Sequence, residues 1–166
     1  MKIEYPLKQV LEVKQKRVED AEKVVSDKQK ILTQEQEKLT KQEAIRDQAK
    51  THRQSKLDQF RKELDGGTTS PKIQQMKAYL KVVEEKLKVE EKKVKDQKVK
   101  VDAAQKELDE AKNQLRLKRQ EVDKLETHRK DWEKEQKKEQ EILQEREMDE
   151  IGNITYESKQ RKRISS

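Results

Sequence analysis

Apolar side chains recur along this chain with a period of about 3.5 residues, the spacing that keeps one stripe of a helix facing a partner helix. In the first half Leu11, Val18, Val25, Leu32 and Leu39 stand one heptad apart, and Lys14, Ala21, Lys28, Glu35 and Gln42 occupy the second position of the same seam. The second half is more regular. Leu80, Leu87, Val94, Val101, Leu108, Leu115 and Val122 repeat without a miss, accompanied by Val83, Glu90, Gln97, Ala104, Ala111, Lys118 and Leu125. A pattern sustained this long predicts an all-α fold: a single long antiparallel two-helix coiled-coil hairpin, with the second helix longer than the first.

The reversal falls at Gly66-Gly67-Thr68-Thr69-Ser70-Pro71. The two glycines suit the left-handed conformations that end a helix, Ser70 suits a cap, and Pro71 suits a first turn. A hairpin folded about Thr68 pairs residues whose numbers sum to about 136, and the side chains agree with that register. Leu11 then meets Leu125, Ala21 meets Leu115, Val25 meets Ala111, Leu32 meets Ala104, Ala49 meets Leu87 and Phe60 meets Met76. Lys14 meets Val122 and Lys28 meets Leu108, so that each lysine lays its stem on the seam and keeps its ammonium in water. Arg46 opposite Glu90 is the one doubly polar layer. The heptads alone also fit registers one repeat away, and the turn chemistry selects among them.

These boundaries predict one elongated coiled-coil domain over residues 1–166: helix 1 over about 7–64, a turn at 65–70, helix 2 over about 71–150 and a mobile basic tail at 152–166. Pairing should end near Arg129 to Trp132, where the strict apolar seam has already stopped. Beyond it, Glu133 to Glu150 should be a marginal helix with no partner, closed by Gly152. The tail ends in Lys159-Gln160-Arg161-Lys162-Arg163.

Composition narrows the function classes. Only 29% of the residues are hydrophobic and 46% are charged, too little apolar material for a layered globular core. The polar excess is in helix formers rather than in Gly or Pro, which separates the chain from disordered sequences. The net charge of +7 arises from 42 basic and 35 acidic residues that mostly alternate within a turn. Pairs such as Glu12/Lys16 and Glu91/Lys95 read as a solvated helix surface. Interleaved charge and 3% aromatic content argue against nucleic-acid binding. With no apolar run of about 20 residues and no apolar signal core, neither membrane insertion nor export is expected. A cytoplasmic location follows as the expectation, and the absence of cysteine agrees with it.

Nothing in the sequence resembles an active site. The carboxylates lack a pocket that would shift a pKa, there is no nucleophile beside a base and no phosphate loop, and His52 and His128 lie on different helices. Both histidines read as surface residues without a role. No enzyme activity, cofactor or metal is expected.

The informative residues are apolar ones where a coil needs none. Ile73, Met76, Tyr79, Leu80 and Val83 form the most apolar patch in the chain, close to the turn; it serves either to close the seam or to contact a partner. Trp132, opposite Glu4 and Tyr5, either caps the open end of the coil or anchors a partner.

Two segments carry a resemblance: Lys2 to Val25, KIEYPLKQVLEVKQKRVEDAEKVV, and Leu64 to Val83, LDGGTTSPKIQQMKAYLKVV. Through them the chain resembles the YscO/FliJ family of type III secretion ATPase central stalks, and in particular its chlamydial YscO-type members. The resemblance implies a non-enzymatic stalk, similar to the gamma-subunit coiled coil of rotary ATP synthases, that inserts into the pore of the hexameric secretion ATPase and couples it to the export gate. The implied partners are that hexamer and the cytoplasmic domain of the export-gate protein, with export chaperones and the needle-length regulator as further candidates. By this analogy the end with the termini faces the ATPase, with Tyr5, Leu7, Leu11, Val18, Leu125, Trp132 and Leu143 as candidate contacts. The hairpin tip, with Ile73, Met76, Tyr79, Leu80 and Val83, faces the export gate. The protein is expected to be monomeric alone and to work at the cytoplasmic face of the secretion apparatus. The competing expectations are an escort coil for export substrates or their chaperones, and a generic coiled-coil spacer.

Overall fold

A computed structural model describes residues 3–165; Met1, Lys2 and Ser166, which the sequence reading included in the domain, lie outside the described residues. The fold is all-α. It consists of α1 (Lys8–Gly66) and the longer α2 (Ser70–Ile164), packed against each other, and no strand occurs among the described residues. Burial follows the heptads. On α2 each seam position from Ile73 to Gln136, spaced alternately three and four residues apart, is at least partly buried.

The turn is tighter than the sequence predicted. α1 runs through Gly66, and Gly67 alone takes a left-handed conformation, with φ at 80°. Its N–H donates to the Leu64 carbonyl at 3.4 Å. Ile73 N–H donates to the Thr69 carbonyl at 3.1 Å, so Thr69 rather than Ser70 is the capping residue, and Ser70 and Pro71 open the first turn of α2.

A Cβ added at either Gly66 or Gly67 would meet nothing within 4 Å, which leaves backbone conformation as the only difference between them. Gly67→Ala should therefore cost about 1–2 kcal/mol of unfolding free energy. Gly66→Ala, in helical conformation, should stabilise by about 0.5–1 kcal/mol. Urea unfolding of the two variants checks this opposition of sign.

The chain divides into two compact units, Asp20–Leu115 and Met1–Glu19 with Arg116–Ser166. The first, the hairpin unit, is centred on Leu32, Ala104 and Leu108, with Val25 and Val101 packed against them. Leu32 packed with Ala104 is the large-on-small layer the register predicted. Toward the turn polar layers interrupt a seam that Val94, Leu87 and Val83 otherwise continue. The Gln97 side-chain amide donates to the Glu35 carboxylate at 2.5 Å and to the Glu35 carbonyl at 3.0 Å, and Gln42 donates to the Glu90 carboxylate. The expected Arg46 layer differs: Glu90 is held by Gln42 and Lys93, and the Arg46 guanidinium instead reaches Asp47 at 3.1 Å. The Arg46 side chain stays partly buried beside the seam, where Glu90 is already satisfied, and turns its guanidinium to Asp47.

In the terminal unit Leu11 and Val122 are buried, and Val18 and Leu125 are partly buried. All described residues from 137 onward are exposed, which agrees with the expected end of pairing near Trp132. The helix itself does not stop where expected. Gly152 fails to close it, and the basic segment is helical as far as Ile164. Gly152 keeps an ordinary helical φ, no proline follows, and the Thr155 hydroxyl donates to the Ile151 and Gly152 carbonyls. A single internal glycine costs a helix only about 1 kcal/mol, less than this length of backbone hydrogen bonding resists. No helix among the described residues is long and apolar enough to cross a membrane.

Candidate partner-binding surfaces

The terminal unit begins with a turn. Pro6 fixes the chain, the Lys8 N–H donates to the Tyr5 carbonyl at 3.1 Å, and the Tyr5 ring folds back onto α2. There its hydroxyl hydrogen-bonds His128 Nδ1 at 2.6 Å, and its ring meets the Trp132 ring edge-on at 5.5 Å between centroids. Tyr5 is buried as a result. Trp132 thus caps the end of the seam together with Tyr5, and His128, to which the sequence assigned no role, is the polar partner that makes burial of the phenol affordable.

Below this cap the seam lysines behave as predicted. Lys14 Nζ reaches Glu121 at 3.0 Å while its stem covers the seam, and in the hairpin unit Lys28 does the same with Glu107 at 3.0 Å. The numbers in each pair sum to 135, next to the predicted 136. The hydrogen bond and charge of Lys14 hold the Glu121 carboxyl below its ordinary range. In the hairpin unit Glu35 is lowered first by the hydrogen bond from Gln97 and then by Lys38. Both groups are favoured as carboxylates, so both contribute to stability above the ordinary carboxylate pKa and lose that contribution as the pH falls through their lowered values.

The candidate contacts sort by exposure. At the terminal end Tyr5 and Leu11 are buried in the structure's own core, Val18, Leu125 and Trp132 are partly buried, and Leu7 and Leu143 are exposed. Near the turn Val83 is buried, Ile73, Met76 and Leu80 are partly buried in the seam, and only Tyr79 stands outside it. Four of the five tip residues therefore close the coil. Tyr79 is held from α1: His52 Nε2 lies 3.1 Å from its hydroxyl, and Lys56 Nζ sits over its ring at 5.6 Å from the centroid. His52, like His128, turns out to bind a tyrosine across the coil.

Exposed apolar residues to which the sequence assigned no role include Val10 and Val13 on α1 and Ile151, Ile154 and Tyr156 on α2. Spacings of eight and eleven residues place Leu143, Ile151 and Ile154 on one helix face, a signal visible in the sequence once the helix is known to continue past Gly152. Among the described residues no group of three or more His, Asp or Glu side chains could hold a metal ion.

The YscO-like family model matches residues 2–162 of the chain. The solved structure of a Chlamydia trachomatis protein described as a YscO homologue is similar throughout: 46% sequence identity, a TM-score of 0.88, and coverage of 94% of this chain and 96% of that one. Comparison with curated proteins gave no match. A family match over nearly the whole length, joined to an all-helical pair of the same architecture, leads to one conclusion: the chain belongs to the YscO-like family.

Proposed function

We propose that this YscO-like, type III secretion-associated protein is the non-enzymatic central stalk of the secretion ATPase, inserting into the hexamer pore and coupling it to the export gate at the cytoplasmic face of the apparatus. The observation that carries the reading is the stretch of α2 from 137 to 164. It stays helical, it is exposed at every position, and it presents Leu143, Ile151 and Ile154 on one face. An isolated helix of this kind gains its stability from a partner. The mixed-charge surface suits a stalk, because weak contacts of either sign let a rod occupy successive positions in a ring without locking into one. On this reading the terminal unit enters the ring and the turn faces the export gate.

Because the chain has no cysteine, single thiols can report each end. Leu143→Cys and Lys72→Cys, both at exposed positions, would be coupled to a photoactivatable cross-linker and mixed with the ATPase hexamer, the export-gate cytoplasmic domain and export chaperones together. The expected result is cross-linking of Leu143→Cys to the ATPase and of Lys72→Cys to the export gate. Cross-links from both positions to export chaperones alone would contradict the stalk and favour the escort reading.

A further inference from the structure

The two sides of the hairpin unit differ. With Leu32, Leu39, Arg46 and Arg53 at heptad position a and Glu35, Gln42 and Ala49 at d, the exposed apolar residues Val24, Ile31 and Ile45 all fall at g on α1. On α2 Tyr79 falls at g, and Val82 and Val89 fall at the adjoining c position. In an antiparallel coil the g positions of both helices flank the same side of the seam. The opposite side, formed by e and b positions, carries only Leu57 and Leu64 as large apolar residues, and Leu57 is partly buried. Single exposed apolar residues such as Leu64 and Val99 are ordinary on a protein surface, but the gathering of Val24, Ile31, Ile45, Tyr79, Val82 and Val89 on one side is more than solubility alone would produce.

On that side the structure forms a groove between the helices. Ile45, Ala49 and His52 line one wall and Val82 and Val89 the other, with Glu85, Lys86 and Glu90 among them, and the hydrogen bond between His52 and Tyr79 crosses it at the end nearer the turn. Ile45, Val82 and Val89 remain 47%, 46% and 53% exposed, so they are available rather than used internally. From Tyr79 to Val89 the apolar part spans about 15 Å, roughly three turns of helix. Past Ile45 the groove becomes cationic, lined by Lys38, Lys41, Lys93 and Lys100 against Asp96. The nearby carboxylates of Glu35 and Glu90 do not cancel this surface charge equally. They sit in the seam with side chains 19% and 20% exposed, whereas those of Lys38 and Lys93 are 65% and 57% exposed.

We propose that this groove docks an amphipathic α-helix of a partner protein, its apolar stripe lying on Ile45, Val82 and Val89 and its acidic residues extending over the lysines. A third helix is the element whose side chains fit between two parallel ridges, anchored at i, i+3, i+4 and i+7 spacing over three turns. The lysines select an acidic flank and fix its direction along the groove. This surface lies beside the coil and goes beyond the stalk reading, and it holds whichever end faces the ATPase.

The test uses the full chain and two labelled helical peptides of about 18 residues, identical in their leucine stripe, one flanked by glutamates and the other by lysines. Fluorescence anisotropy should show binding of the acidic peptide and at least about tenfold weaker binding of the basic one. Ile45→Glu with Val89→Glu, at exposed positions and checked for folding by circular dichroism, should weaken the acidic peptide by at least about tenfold. Lys88→Glu, on the opposite side, should leave it within about twofold. Failure of both peptides to bind, equal binding of the two, or binding that survives the groove substitutions would overturn the proposal. Self-association of the chain lost in the same groove variant would also overturn it, by assigning the groove to a second copy.

Discussion

Leu108→Ala should lower the unfolding free energy by about 3 kcal/mol, while Val99→Ala on the same helix should change it by less than about 0.5 kcal/mol. Leu108 is 1% exposed and stands at the centre of the Leu32–Ala104 cluster, whereas Val99 is 67% exposed. A two-helix coil has only one layer of packing, so no second shell collapses into the space a lost isobutyl group leaves. The α1 side offers the stem of Lys28, and its ammonium is already committed to Glu107. Alanine's better helix propensity recovers only a few tenths of a kcal/mol. Urea unfolding followed by circular dichroism measures both variants. Similar losses at the two positions would mean that the seam at Leu32, Ala104 and Leu108 is not where this unit's stability is concentrated.

The second large effect is functional. The double variant Leu11→Asp and Leu125→Asp should lose the ability to stimulate the secretion ATPase, returning its rate to the level without stalk. Leu11 is 3% exposed and Leu125 is partly buried, and the register sets them opposite each other. Two carboxylates placed there repel each other and lose hydration, a penalty of several kcal/mol that separation of the helices relieves. The cap of Tyr5 on His128 and Trp132 would open with them. The hairpin unit, with its own core, should keep its helix content. Tyr79→Ala, which alters a side chain outside the seam, should leave stimulation unchanged. Retained stimulation by the double variant would show that the terminal unit is not the working end.

The fold was legible because a coiled coil stores its architecture in local periodicity. Leu11 to Leu39 and Leu80 to Val122 declared the helices, Gly67 declared the reversal, and the lengths on either side set the register that Lys14 with Glu121 and Lys28 with Glu107 display. What escaped were choices decided by small energies. Thr69 and Ser70 are both competent caps, and backbone hydrogen bonding rather than residue type chose between them. Gly152 looked like a terminator, yet one glycine without a following proline does not end a helix. Arg46 and Glu90 had opposite charges, but flexible side chains take the nearest satisfied geometry, not the pairing that charge suggests.

The candidate surfaces were legible only in part, for a related reason. Periodicity tells which residues face the seam, so it identified Leu11 and Val83 as apolar without separating core from contact. Exposure separates them: Leu143 and Tyr79 remain available, while Tyr5 and Val83 are spent on the coil. The two tyrosine–histidine pairs could not be anticipated from spacing, because Tyr5 precedes α1 and His52 and Tyr79 lie outside the a and d positions.

The measurement that bears most directly on the central claim is ATP hydrolysis by the cognate secretion ATPase with and without this protein at equal molar ratio to hexamer. The stalk account predicts a higher rate when the folded chain is present, saturating near one chain per ring. An unchanged rate across the titration, with the chain folded by circular dichroism, would contradict it.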